Sequence, residues 1–318
     1  MIVTLTPNPS IDRTVGFREL RRGSVNRASS SRVDAGGKGV NVSRALTAQG
    51  AGTIAVLPEG GPEGSLMATL LDDAGVTRRG VPISESVRLN VTAVEPDGTT
   101  TKLNEPGPHL DEGQVRALLA AVATSVEGAP GGAWAVGCGS LPPGAPVDLY
   151  ARLVRSARDA GALVAVDTSG APLRPAVEAG PDLVKPNRVE LEELVGADLT
   201  TLGAVIDAAR DLVTGGVGTV VVSLGRDGAV VVDAESATHA VATIGTPRST
   251  VGAGDCLLAG LLHDLSAGRT AAEALRTGVL WGAAAVTLPG SRVPGPTDLN
   301  GIAVDVTSAP DRSLAVRD

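Results

Sequence analysis

Short runs of β-branched and other apolar residues recur along the chain, separated by longer stretches in which apolar positions return every three or four residues. The runs at 2–6 (IVTLT), 53–57 (TIAVL), 133–137 (AWAVG), 162–167 (ALVAVD), 182–185 (DLVK) and 219–225 (TVVVSLG) predict strands. Helical patterns fall near 38–49, 64–74, 111–126, 147–160, 188–195 and 202–214. This alternation predicts an α/β fold, a mostly parallel central sheet with helices on both faces. Ligands of such sheets bind at the carboxyl ends of the strands.

Two stretches break the rhythm. Residues 11–33 are polar with alternating apolar positions, and 86–104 (SVRLNVTAVEPDGTTTKLN) reads as two strands about the turn EPDG. Together they predict a small sheet projecting from the main body, which serves as a lid, pairs with another subunit, or is a plain surface hairpin. The chain has no internal repeat and reads as one domain over 1–318, with its last ten or so polar residues expected to fray.

With 43% hydrophobic residues a large core is available, and with Phe17, Trp134, Tyr150 and Trp281 as the whole aromatic complement it must be built from Ala, Val and Leu. A net charge of −8 and a pI near 5.0 argue against nucleic acid or an acidic membrane as partner, while leaving room for a local basic site. Cys138 and Cys256 lie far apart without CxxC spacing or nearby histidines, which argues against a disulfide framework or a zinc site. His109, His239 and His263 are scattered and read as surface or satisfied groups. The start MIVTLTPNPS lacks a signal-peptide pattern and no apolar run is long enough to span a bilayer, so a cytoplasmic location is expected.

The familiar phosphate motifs fail: the Gly-Lys at 37–38 is followed by Gly39, and no GxGxxG follows a strand with an acid some 20 residues on. Other loops carry the chemistry. In STVGAGDCLLAG, Gly252, Ala253 and Gly254 lead into Asp255 and an apolar helical run, placing a carboxylate beside backbone amides suited to an anion. In DAGGKGVNVSRAL, Gly36, Gly37 and Gly39 permit close backbone approach, Lys38 adds a mobile cation, and Asn41 lies near a helix start. In VKPNRVELEEL, Lys185 ends a strand, and Asn187 and Glu190 share one face of a helix's first turn. They would orient water around Mg²⁺ or simply form an Asn cap with an acidic first turn. VVSLGRDGAVVV is a strand, a turn with Ser223, Gly225, Arg226 and Gly228, and another strand, which would support a nucleotide or be a hairpin alone. Asp12 in PSIDRT and Ser140 in CGSL are placed just after strands.

Taken together and in order, AGGKGVNVSRAL, KPNRVELEEL and STVGAGDCLLAG resemble the ribokinase/PfkB carbohydrate kinase family over nearly the whole chain. TLTPNPSIDRTV, GSVNR, LNEPGP, GSLPPGAP, DTSG and SLGRDGA look like its hexose-phosphate branch, which holds the 1-phosphofructokinases and tagatose-6-phosphate kinases. The resemblance implies a ribokinase-like fold and MgATP-dependent phosphorylation of a phosphosugar, fructose 1-phosphate foremost, with 6-phosphate acceptors as alternatives. It implies Asp255 as general base, with the Gly252, Ala253 and Gly254 amides facing the transferred phosphoryl. Lys185, Asn187, Ser223, Gly225, Arg226, Gly228 and Gly254 would hold ATP, with Asn187 and Glu190 reaching Mg²⁺ through water. Asp12, Gly37, Asn41 and Ser140 would bind the sugar, and Arg27, Lys38 and Arg88 its phosphate. Dimerisation through the lid, common among such kinases, would let Arg27 serve a neighbour's site. Two positions depart from the pattern: Cys256, where relatives carry Ser, and Lys38, where the 6-phosphofructokinase branch carries Gly.

Overall fold

The computed structural model describes residues 1–127, 129 and 132–317. The chain begins β1 (Ile2–Leu5), β2 (Ser10–Gly16), β3 (Ser30–Gly36), α1 (Lys38–Ala48), β4 (Thr53–Glu59), α2 (Gly61–Asp73) and β5 (Arg78–Pro82). It continues through β6 (Arg88–Val94), β7 (Thr100–Asn104), α3 (Glu112–Val126), β8 (Trp134–Cys138), α4 (Leu149–Asp159), β9 (Leu163–Asp167), α5 (Leu173–Glu178) and β10 (Leu183–Val184). It ends with α6 (Arg188–Val195), α7 (Leu202–Thr214), β11 (Thr219–Ser223), β12 (Ala229–Val232), β13 (Ala237–Thr243), α8 (Ala253–Ser266), α9 (Ala271–Val286) and β14 (Ala303–Thr307).

The large sheet has the order β14-β13-β12-β11-β10-β9-β8-β1-β4-β5. Neighbours pair in parallel from β5 to β11, and β12, β13 and β14 extend the sheet antiparallel. The strands are apolar on both faces because helices cover both. Val3 and Leu5 pack with Leu118 of α3 and Leu153 of α4, while Ile2 and Val136 share the opposite core with Leu46 of α1, Leu258 of α8 and Trp281 of α9. Helices α8 and α9 approach backbone to backbone: a Cβ on Gly278 would stand 2.7 Å from Leu257 O, and one on Gly260 2.8 Å from Thr277 O.

The two rhythm-breaking stretches fold into a second sheet of order β3-β2-β6-β7. Strands β2 and β3, and β6 and β7, pair antiparallel, whereas β2 and β6 run parallel and set Ser10 beside Arg88 and Asp12 beside Asn90. The EPDG turn closes with Gly98 N–H to Glu95 O at 3.0 Å. Asp12 therefore lies inside β2 and not just after a strand, a correction that follows from a chain crossing to the second sheet within five residues of β1.

The expected fraying of the tail is also corrected. Val316 is buried among Val205, Val220 and Val230, and Leu202 N–H donates to Leu314 O at 2.9 Å. Arg317 N–H donates to Asp227 Oδ2 at 3.0 Å, so a polar tail is held by one apolar anchor and its backbone. No helix among the described residues is long and apolar enough to cross a membrane.

Candidate active site

Helix α8 starts at the carboxyl edge of the large sheet. Gly252 is its N-cap with φ 79°, a left-handed conformation open to glycine at no steric cost, and no side chain caps the helix. Ala253 N–H reaches Thr250 O at 3.4 Å, while the Gly254 and Asp255 amides have no acceptor among the described residues. The uncapped turn carries the positive end of the helix dipole.

Asp255 follows in the same turn and is buried. Its Oδ2 accepts from Asn41 Nδ2 at 2.8 Å, and Oδ1 takes no hydrogen bond from the described residues. Burial and then the charge of Asp167 push the carboxyl up to about 6; the Asn41 hydrogen bond, Lys38 and Lys185 pull the other way. A carboxylate in this range is ionised at neutral pH and still basic enough to take a proton. The neighbouring thiol of Cys256, like that of Cys138, is buried and pushed up by that burial, so both remain un-ionised.

Asp167, to which no role is attached in the sequence reading, is the hub of the site. It ends β9, is 1% exposed, and receives Lys38 Nζ on Oδ1 at 2.7 Å and Lys185 Nζ on Oδ2 at 2.8 Å. Burial opposes its charge, but Lys185 and then Lys38 hold it below the usual carboxylate range. Lys38, first residue of α1, also lies 3.8 Å from Glu190 Oε1. Burial works against its charge too, and Asp167 and Glu190 overcome this and raise it. Lys185 faces the anion turn, since a Cβ on Gly254 would stand 3.6 Å from its Nζ. The parallel pairing of β9 with β10 sets the ends of these strands, and so Asp167 and Lys185, side by side.

Asn187 and Glu190 form a reciprocal capping box at the start of α6, Asn187 Oδ1 accepting from Glu190 N–H and Glu190 Oε2 from Asn187 N–H, each at 2.8 Å. That occupies one oxygen of each side chain and leaves Glu190 Oε1 facing Lys38. Among the described residues no three His, Cys, Asp or Glu side chains are spaced to hold a metal ion. The donor set suits a magnesium carried mostly on waters and phosphates. Beside it, Ser223 N–H donates to Pro186 O at 3.1 Å, and a 3₁₀ turn over 225–227 joins β11 to β12, with Arg226 exposed.

On the other side, Asp12 Oδ1 accepts from Ser10 Oγ at 2.7 Å and from Asn90 Nδ2 at 3.2 Å. Burial raises its carboxyl, against the hydrogen bonds of Ser10 and Asn90 and the charge of Arg88. Arg88 donates Nη2 to Asn8 O at 3.1 Å and Nη1 to Glu105 O at 3.3 Å. Three buried polar atoms here, Asn8 Oδ1, Arg88 Nε and Asn90 Oδ1, have no hydrogen-bond partner among the described residues. Gly37, with φ 108°, brings the backbone against Pro9, where a Cβ would meet Pro9 Cα at 3.2 Å. Ser140 Oγ receives Asn8 Nδ2 at 3.3 Å. Arg27 stands exposed in the loop after β2 with no partner among the described residues. Of the three cations, Lys38 is drawn to Asp167 and Arg88 to the carbonyls of Asn8 and Glu105. An open cleft of about 780 Å³ separates the small sheet from the loop before α8, lined by Asp12, Lys102, Arg248, Thr250 and Val251 among others.

The pfkB family carbohydrate kinase model matches residues 5–298. The chain is 38% identical over 307 residues to the 1-phosphofructokinase of Rhodobacter capsulatus, covering 96% of each. It is 36% identical over 295 residues to ATP-dependent 6-phosphofructokinase isozyme 2 of Mycobacterium tuberculosis, covering 91% of this chain and 85% of that one. The tetrameric inhibited form of phosphofructokinase-2 from Escherichia coli superposes with a TM-score of 0.87 at 34% identity, covering 94% of this chain and 96% of the other.

Proposed function

The chain belongs to the pfkB family of carbohydrate kinases, and from that premise we propose that it phosphorylates D-fructose 1-phosphate at the 6-hydroxyl, using MgATP and giving fructose 1,6-bisphosphate and ADP in the cytoplasm. The observation that carries the chemistry is Asp255, paired to Asn41 through one oxygen, beside an uncapped helix start and Lys185. Asp255 takes the proton of the 6-hydroxyl as that oxygen bonds the γ-phosphorus and the bond to ADP breaks. The Gly254 and Asp255 amides, with Lys185, face the charge on the phosphoryl in transit. Asp167 and Glu190 hold Lys38 charged, and the ion pairs to Asp167 orient both Lys38 and Lys185 before anything binds. When bound with the triphosphate, magnesium supplies charge neutralisation on the phosphate oxygens, and Asn187 and Glu190 would meet its water shell. Ser223, Gly225, Arg226 and Gly228 line the nucleotide side.

Two supports favour a phosphorylated sugar as acceptor. Asn90 and Arg88 lie against Asp12, and Asn8 lies against Arg88; without partners among the described residues, Asn8 Oδ1 and Asn90 Oδ1 offer acceptors to hydroxyls and Arg88 Nε a donor to an anion. Lys102 and Arg248 add cations to the cleft that Asp12 lines. The exposed strand β7 and exposed Val25 suit a small sheet that pairs with a second copy, which would bring the free Arg27 to a neighbour's acceptor. A second reading, phosphorylation of fructose 6-phosphate, draws on the 36% identical 6-phosphofructokinase. Steady-state assays with fructose 1-phosphate, fructose 6-phosphate and tagatose 6-phosphate rank these acceptors. The highest kcat/KM is expected for fructose 1-phosphate, and a clear preference for either 6-phosphate overturns the assignment.

A further inference from the structure

The amide of Asn41 has a neighbour on each side. Its Nδ2 donates to Asp255 Oδ2 at 2.8 Å, and its Oδ1 accepts from Arg44 Nη1 at 3.2 Å, one turn further along α1. A guanidinium only donates and an ionised carboxylate only accepts, so between these two groups the amide has one satisfiable orientation. Arg44 is itself anchored. The same Nη1 donates to Ala35 O at the end of β3 at 2.9 Å and reaches Ser291 O after α9 at 3.4 Å, and Nη2 lies 3.9 Å from Asp34 Oδ1. Asn41 is 5% exposed and the Arg44 side chain 13%, so water does not compete freely for either group.

We propose that Arg44 is a positioning residue of the phosphoryl-transfer site: it locks the Asn41 amide so that Asn41 occupies Oδ2 of Asp255 and Oδ1 is left to take the acceptor's proton. The proposal rests on reading Asp255 as the general base. Without Arg44 the amide is free to rotate and present its oxygen to the carboxylate, replacing a donor with an acceptor and raising the carboxyl's affinity for a proton. The other charged or titratable groups around Asp255 are Asp167 on β9, Lys38 on α1, Lys185 after β10 and the thiols of Cys138 and Cys256; those around Arg44 are Arg32 and Asp34 on β3, Asp12 on β2 and the Cys256 thiol on α8. All of them are retained when Arg44 is replaced.

The test is the pH profile of kcat/KM for the acceptor in the wild type, Arg44→Met, Arg44→Lys, Asn41→Leu and the R44M/N41L double variant, with thermal unfolding of each. R44M should move the acid limb up by about one pH unit, about a fivefold loss at pH 6 that vanishes by about pH 8. R44K, which can still donate to Asn41, should recover most of the shift. N41L should shift the limb at least as far as R44M, and adding R44M to N41L should shift it no further. Should R44M not fold, Arg44→Gln takes its place. A loss of equal size at every pH, or shifts that add in the double variant, overturns the proposal and leaves the base assignment standing. Turnover retained by Asp255→Asn overturns both.

Discussion

Replacing Asp167 with Asn keeps the shape of the side chain and removes the one charge shared by two lysines. The Lys185 ammonium is 4% exposed and loses its counter-charge in a site with little water, whereas Lys38, 34% exposed, keeps part of its hydration. Breaking a buried ion pair by removing one partner costs about 3–5 kcal/mol. With Lys38 partly solvated the lower end applies, so a loss of about 3 kcal/mol is expected from guanidinium or urea unfolding at constant m-value. A second effect runs through Asp255. Asp167 raises the Asp255 carboxyl while Lys38 and Lys185 lower it, so D167N removes the raising charge and keeps the lowering ones. The acid limb of kcat/KM should therefore fall below the wild-type position near 6, opposite to the direction expected for Arg44→Met. Turnover should drop as well, since Lys185 is no longer held against the anion turn. A stability loss below about 1 kcal/mol, the size of an exposed pair, or an acid limb that moves up, would mean that Asp167 is not the shared counter-charge of the two lysines.

Three further outcomes are expected. The folded-state carboxyl of Asp255 lies near 6 against 3.8 for an unperturbed aspartate, so its burial costs stability once it ionises, between those values and above. Asp255→Asn should accordingly be more stable than the wild type by about 1–3 kcal/mol at pH 7 and show no gain near pH 4, as read by denaturant unfolding at both pH values. Gly278→Ala places a Cβ 2.7 Å from Leu257 O, and prising α8 from α9 should cost about 1–3 kcal/mol and lower Tm without moving the pH profile. Deleting residues 314–318 removes buried Val316 and three backbone hydrogen bonds to the body, and should cost about 2–3 kcal/mol; an unchanged unfolding midpoint would mean the tail is not docked in solution.

The hydrophobic pattern locates β1, β4, β8, β9 and β11, and each proposed helix is present, because these elements are apolar over a full period and bounded by glycine or polar turns. Helix α9 escapes that reading because Gly278 and Gly282 look like breakers, yet they are what lets it lie against α8. Strand β14 escapes because Asp305 interrupts its short apolar stretch, which lies largely exposed at the edge of the sheet. Asp255 and Asn41 are legible since each sits in a glycine-rich loop that opens a helix. Asp167 is not, because its significance comes from partners 129 and 18 residues away, brought together only by strand order; the DTSG segment marked it without disclosing its role. Arg88 and Asn90 meet Asp12 through the parallel pairing of β2 with β6, a register that no local pattern encodes.

Whether the Asp255 carboxylate takes the acceptor's proton is read from kcat of Asp255→Asn with saturating MgATP and fructose 1-phosphate at pH 8, alongside calorimetric binding of the sugar phosphate. With Asp255 as the general base, its replacement should lower kcat by about 10²–10⁴, with acceptor affinity little changed. A kcat near that of the wild type would contradict that role.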